Sequence, residues 1–368
     1  MKQVKAFLKR KNIVFSARRY GIDALGAMAQ GLFCTLLVGT ILNTIGQQFG
    51  IGFLKAVIVT IGSGEGAVHY TIGGLASAMV GPGIALAIGN ALLCPPMVLF
   101  SLIPVGFAAN YMGGAGGPLA VYFVAIFAAE CGKIVSKETK VDILVTPIVT
   151  ILAGIGIASV IAAPIGTAAK AVGQAIMWAT ELRPFLMGIL VAVMMGIALT
   201  LPISSAAICA SFGLVGLAGG AAVAGCCAQM VGFAVMSFKE NRWGGLVAQG
   251  IGTSMLQMPN IVKNPRIWIP PILASAITGP LATCLFRLEM NGAAVNSGMG
   301  TCGLCGQIGI WTGWVADMNS GAKAAITGFD WLGLILICFV LPAILSWIFC
   351  EFLRKKGWIR ENDLKLDL

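Results

Sequence analysis

Two side chains able to do acid–base chemistry stand alone in a long apolar tract. They are Glu65 and His69, within Gly62-Ser-Gly-Glu-Gly-Ala-Val-His-Tyr70. Glu65 is the only Asp, Glu, Lys or Arg between Lys55 and Glu130, and His69 is the only histidine of the 368 residues. An ionisable group in apolar surroundings is disfavoured unless it has a partner or a task. If the segment is helical, the four-residue spacing places both on one face. The carboxylate could then accept a hydrogen bond from a ligand hydroxyl and act as a base toward it. The plainer alternative is that the two satisfy each other, or backbone groups that the glycines expose. Amides and hydroxyls form a second tier of candidates: Asn90, Asn110, Ser204, Ser205, Gln257, Asn260 and Asn296. Such groups bind hydroxylated ligands, and they also serve as hydrogen bonds between helices.

The elements that must position these residues are membrane helices. Hydrophobic residues make up 58% of the chain and charged ones 10%, where a soluble domain carries roughly 25%. Mean hydropathy is +0.92. No Asp, Glu, Lys or Arg occurs between Gly66 and Ala129 or between Pro184 and Phe238, and each tract exceeds the ~20 residues of one crossing. A β-barrel would show alternation in place of these runs. The predicted fold is an all-α polytopic membrane protein of about ten transmembrane helices, with broken or re-entrant segments.

Charge sets the expected orientation. The net charge of +10 lies largely at the two ends: Lys2, Lys5, Lys9, Arg10, Lys11, Arg18 and Arg19, then Arg354, Lys355, Lys356, Arg360 and Lys365. Basic flanks beside apolar spans mark the cytoplasmic side, so both termini are expected there, and a nucleic-acid partner is not. The basic N-terminus lacks the cleavage site of a signal peptide. Most of the eleven cysteines lie in apolar runs as small packing residues, and Cys302-Gly-Leu-Cys305 lacks the second ligand pair of a zinc site. No metal and no cofactor is expected.

Along the chain, residues 1–20 read as a basic cytoplasmic or interfacial segment. Residues 21–165 form a first membrane half, 166–183 an external connection, 184–353 a second half and 354–368 a cytoplasmic tail. Glu130 is expected at a solvated cytoplasmic boundary. Gly31 to Gly39 resembles Gly188 to Gly196; Ile88-Gly89 and Pro96 resemble Ile251-Gly252 and Pro259; Gly117-Pro-Leu-Ala120 recurs as Gly279-Pro-Leu-Ala282. The nearly constant offset points to two inverted five-helix repeats of the kind that transporters use. The stretch from Gln249 to Pro271, polar and proline-rich, suits an unwound segment better than an ordinary span.

The stretches Ala198-Leu-Thr-Leu-Pro-Ile-Ser-Ser-Ala-Ala-Ile208, Gly213 to Val235 and Gln249-Gly-Ile-Gly-Thr-Ser-Met-Leu-Gln-Met-Pro-Asn-Ile-Val-Lys-Asn-Pro-Arg-Ile-Trp-Ile269 resemble a bacterial membrane family. It is classed with the IIC components of the phosphoenolpyruvate-dependent sugar phosphotransferase system and includes perfringolysin regulator-type proteins. The resemblance implies a ten-helix, dimeric permease in the cell membrane, with cytoplasmic IIB and IIA proteins as partners. Such a permease binds a sugar outside, and IIB phosphorylates it inside. His69 and the short stretch after Glu351 carry no phosphotransfer module, so the phosphoryl group is expected to come from separate proteins. The regulator names imply an alternative role as a membrane sensor. A proton-coupled carrier using Glu65 or His69 is a third reading.

Overall fold

The computed structural model describes residues 2–366, apart from the side chains of residues 2–5 and of Glu65. Two compact units divide it, residues 1–168 and 169–368. Helix dominates both. Among the described residues six helical stretches are long and apolar enough to cross a bilayer, or seven when a pair bent by 52° counts as one span.

In the first unit the basic helix α1 (Lys2–Arg10) precedes the apolar helix α2 (Arg19–Gln48). A short hairpin of β1 (Val59–Ile61) and β2 (Val68–Tyr70) follows. The bent pair comes next, α3 (Ile72–Ala78) and α4 (Val80–Ala91). Helix α2 packs on α4, and their backbones touch where both carry glycine. A Cβ on Gly31 would lie 2.5 Å from the carbonyl oxygen of Gly83, so this crossing admits no side chain.

The next apolar stretch, Pro96–Val135, counts as one of the six, yet its 40 residues are two helices. Helices α5 (Pro96–Gly113) and α6 (Gly117–Val135) fold back on each other at Gly114, whose φ of +52° suits glycine. Prolines stand in the first turn of both, Pro96 first in α5 and Pro118 second in α6, where an N–H has no intrahelical partner to lose. Each helix is then about 27 Å long, close to the ~30 Å bilayer core. Helix α7 (Asp142–Thr180) is 39 residues without a break and so about 58 Å long, nearly twice that thickness. Most of the connection expected at 166–183 is therefore the end of this helix.

In the second unit α8 (Pro184–Thr200), the short α9 (Ser205–Phe212) and α10 (Gly216–Met236) come first. Helix α10 is the core. Its run of Gly, Ala and Cys carries no charged side chain, and nearly all of it is buried. Helices α8, α13 (Ile269–Pro280) and α15 (Gly328–Lys355) pack around it. Between Phe238 and Trp268 the chain breaks repeatedly: α11 (Phe238–Val247), a π turn, extended Thr253, a 3-10 turn Ser254–Gln257, α12 (Met258–Lys263) and a 3-10 turn Pro265–Trp268. Helix α14 (Cys305–Asn319) follows α13 and sits against α10 and α15 through Trp314, Ile310 and Ile337. Of the matched tetrapeptides, Gly117–Ala120 opens α6, whereas Gly279-Pro280 closes α13 and Leu281 begins a π turn. That match joins unlike positions and lends no support to a repeat.

Candidate functional site

The stretch that drew most attention in the sequence forms a hairpin, not a helix. Val59, Thr60 and Ile61 are β-branched and pair antiparallel with Tyr70, His69 and Val68. Gly62 (φ +91°) and Gly64 (φ +70°) supply the left-handed backbone of the turn. Glu65 lies in that turn, and its side chain is outside the described residues. His69 is exposed on β2, its Nδ1 2.9 Å from Thr60 Oγ1 on the facing strand. The shared helical face expected for Glu65 and His69 does not exist. Asn90 is exposed in the last turn of α4. Asn110 lies against the α5–α6 turn, where a Cβ on Gly117 would meet its Oδ1 at 2.5 Å.

Glu130, expected in solvent, is buried on α6. Its Oε1 accepts a 2.9 Å hydrogen bond from Tyr20, and its Oε2 lies 2.8 Å from Lys133 Nζ, a charge contact without hydrogen-bond alignment. Lys133 is 1% exposed and also donates to the carbonyls of Asn12 and Leu92, both at 3.2 Å. Arg19 donates to Leu92 O and Asn12 Oδ1 nearby. The group ties the segment before α2 to the ends of α4 and α6.

The second unit holds most of the polar side chains named above, in two clusters. Ser204 caps α9 by accepting from Ala207 N, and buried Ser205 donates to Gly298 O at 2.7 Å. Asn296 is buried in the segment facing them, against Gly309. Gln257 and Asn260 belong to an amide ladder. Gln249 donates to Ser237 Oγ (2.8 Å), Gln257 to Gln249 Oε1 (2.9 Å), and Asn260 to Gln257 Oε1 (2.9 Å). Gln249 also donates to Gly245 O at 2.9 Å, and the second amide hydrogens of the other two go to the C-terminal segment: Gln257 donates to Leu364 O at 3.0 Å and Asn260 to Lys365 O at 2.8 Å. Asn241 donates to Leu364 O and accepts from Leu366 N, while Asn264 donates to Trp358 O and Asp363 Oδ2. Ile359 and Leu364 are buried beneath. The tail is a folded strap, and in this conformation it occupies the amides of Gln257 and Asn260. Beside it a cleft of about 630 Å³ is lined by Lys239, Arg354, Arg360 and Lys365 with Glu240 and Glu361. Arg354 pairs with Glu240 at 2.6 Å.

A further polar group, passed over in the sequence, comes together only in three dimensions. Thr200 ends α8, Gln229 lies in α10, Ser254 begins one 3-10 turn and Trp268 ends another. Trp268 Nε1 donates to Gln229 Oε1 at 2.9 Å, and Thr200 Oγ1 lies 2.8 Å from Ser254 Oγ. Single polar residues in small-residue runs give little signal before folding; the helix-breaking composition of 249–271 was the available clue. Elsewhere, Asn291 bridges Glu289 and Asp317, and Arg266 stacks over Trp358. Among the described residues no group of three or more His, Cys, Asp or Glu could hold a metal ion.

Long apolar helices, several of them bent or broken, define a multi-pass helical membrane protein. The family model described as phosphotransferase system, EIIC, matches residues 22–366, and the chain belongs to that family. It is thus a bacterial membrane component of EIIC type. No curated protein and no solved structure matches the chain.

Proposed function

We propose that this protein is the membrane-embedded IIC component of a phosphoenolpyruvate-dependent sugar phosphotransferase system, which binds and translocates a sugar or sugar-like molecule. The observation that carries this reading is the EIIC family match over nearly the whole chain. The neutral amides and hydroxyls at the helix breaks of the second unit support it, because a neutral polyol needs donors and acceptors rather than charge. The basic cleft beside the tail suits a cytoplasmic face, where positive residues collect. In this reading both termini face the cytoplasm, about ten segments cross the bilayer, and the protein works as a homodimer. Phosphorylation is done by IIB and IIA partners on the cytoplasmic side. Ser204, Ser205 and Asn296, gathered at one helix break, remain candidates for the sugar path, with Gln257 and Asn260 available once the tail moves. Glu65, His69 and Asn90, in the first unit, stay candidates for contact with the sugar.

The test is uptake of radiolabelled sugars into vesicles containing the protein, with the cytoplasmic phosphotransferase proteins inside. Saturable uptake of one sugar is the expected result. Absence of uptake across hexoses, pentoses and hexitols contradicts the proposal.

A further inference from the structure

The amide nitrogen of Gln229 is buried and has no hydrogen-bond partner. Gln229 is 0% exposed in the middle of the second unit. The indole N–H of Trp268 can only donate, so the atom it meets at 2.9 Å must be the carbonyl oxygen of the Gln229 amide. Thr200 Oγ1 approaches the same oxygen at 3.3 Å. The amide nitrogen of Gln229 is thereby turned the other way, and it has no acceptor. Two N–H donors without a partner are rare in a protein interior and point to a missing ligand or water. One turn further along α10, a Cβ on Gly232 would lie 2.5 Å from Ser346 Oγ, a second buried polar atom without a partner.

The surrounding groups narrow what would fit. Thr200 and Ser254, both 0% exposed, share a 2.8 Å hydrogen bond in which either can donate. Trp268 is half-buried and offers an apolar ring with its polar atom already used. None of the four side chains is ionisable, so an anion would enter without a counter-charge. A hydroxyl oxygen, which can accept from Gln229 and donate to Thr200 or Ser254, meets every requirement.

Backbone geometry agrees. Thr200 is the last residue of α8, before extended Leu201, and Ser254 follows extended Thr253. Transporters place their solute sites where helices break, because segments there can move and uncover buried groups. Thr200, Gln229 and Ser254 are closed off from solvent in this conformation and Trp268 alone reaches the surface, so a ligand reaches the three when the breaks at 201–204 and 248–253 shift.

We infer that Gln229, Thr200, Ser254 and Trp268 form an occluded subsite for a neutral, hydroxyl-rich solute, with the Gln229 amide nitrogen donating to a solute hydroxyl. This rests on the permease reading and assigns the residues that recognise its substrate.

The experiment measures binding of D-glucose, D-galactose, D-fructose, D-xylose and D-mannitol to the purified full-length protein by equilibrium dialysis, with the melting temperature of the sugar-free protein alongside. Gln229→Met keeps the side-chain length and removes both donors. It should weaken binding of the sugar that the wild type takes by about ten-fold or more, the loss of one well-placed hydrogen bond. The change also removes the acceptor of Trp268 Nε1, so its sugar-free melting temperature is compared with that of Trp268→Phe, which loses the same hydrogen bond, and should fall no further than that. Thr200→Val and Trp268→Phe should weaken binding in the same direction. Wild-type affinity in Gln229→Met would mean that the nitrogen holds a water only, and would overturn the assignment. So would a sugar-free melting temperature of Gln229→Met well below that of Trp268→Phe, because that marks the amide nitrogen as part of an internal strut. A wild type that binds none of the five overturns the permease reading, and this assignment with it.

Discussion

Lys133 shows how a single buried charge is held. Its ammonium donates to two carbonyls and lies beside one carboxylate, so its charge is met from three sides. Removing one partner of such a pair leaves an uncompensated charge, and Glu130→Gln should destabilise the protein by about 3–5 kcal/mol in denaturant unfolding. A double replacement, Glu130→Leu with Lys133→Met, should lie much closer to wild type. Glu138 is the contrasting case on the surface. Its hydrogen bond to Lys11, with Arg10 2.7 Å away, holds its carboxyl below the ordinary value of 4.5. A depressed folded pKa means that the attachment is present above that value and is lost as the pH falls through the folded pKa. Hydrogen exchange of residues 6–12, corrected for intrinsic rate, should therefore rise relative to the rest of the chain between pH 6 and pH 3. In Glu138→Gln the same segment should be equally loose at both. Sequence gave Glu130 and Glu138 the same appearance, two acids near a basic loop. Burial separates them, and burial depends on Tyr20 and Asn12 arriving from elsewhere.

Elements differ in how plainly composition declared them. The apolar helices were legible because a bilayer demands long runs without charge. The hairpin was legible too, though overlooked: β-branched residues at 57–61, a glycine-rich turn and the Val-His-Tyr return are a hairpin pattern. The tail strap left no signal, because its contacts run from amide side chains to main-chain carbonyls. Leu364 is 0% exposed under that ladder, and Leu364→Ala should cost about 2–5 kcal/mol in the stability of the second unit. Proteolysis should then cut near residue 358 far faster than in wild type; equal rates would show that the strap is loosely held. At the crossing of α8 and α13 a Cβ on Gly279 would lie 2.0 Å from Gly188 O, so Gly279→Leu must force the helices apart. Loss of the monodisperse purified protein, or a melting temperature lowered by several degrees, is the expected outcome.

For the whole molecule, composition was enough for the class: 58% hydrophobic residues with 10% charged ones leave no surface for a soluble protein of this size. The number of crossings was harder. Glycine and proline turn one 40-residue stretch into two helices at Gly114, while α7 runs on unbroken past the length a crossing needs. Candidate site residues differ in visibility for a physical reason. Charge in an apolar run is conspicuous, as at Glu65 and His69, whereas neutral groups such as Gln229 and Ser254 stand out only once neighbours from four segments converge. The central claim concerns what the chain does in the membrane. Its most direct measurement is the chemical form of a labelled sugar accumulated in vesicles supplied with phosphoenolpyruvate and the cytoplasmic phosphotransferase proteins. The account predicts a sugar phosphate inside, absent when phosphoenolpyruvate or this protein is left out. Accumulation of the free sugar alone, unchanged without phosphoenolpyruvate, would contradict it.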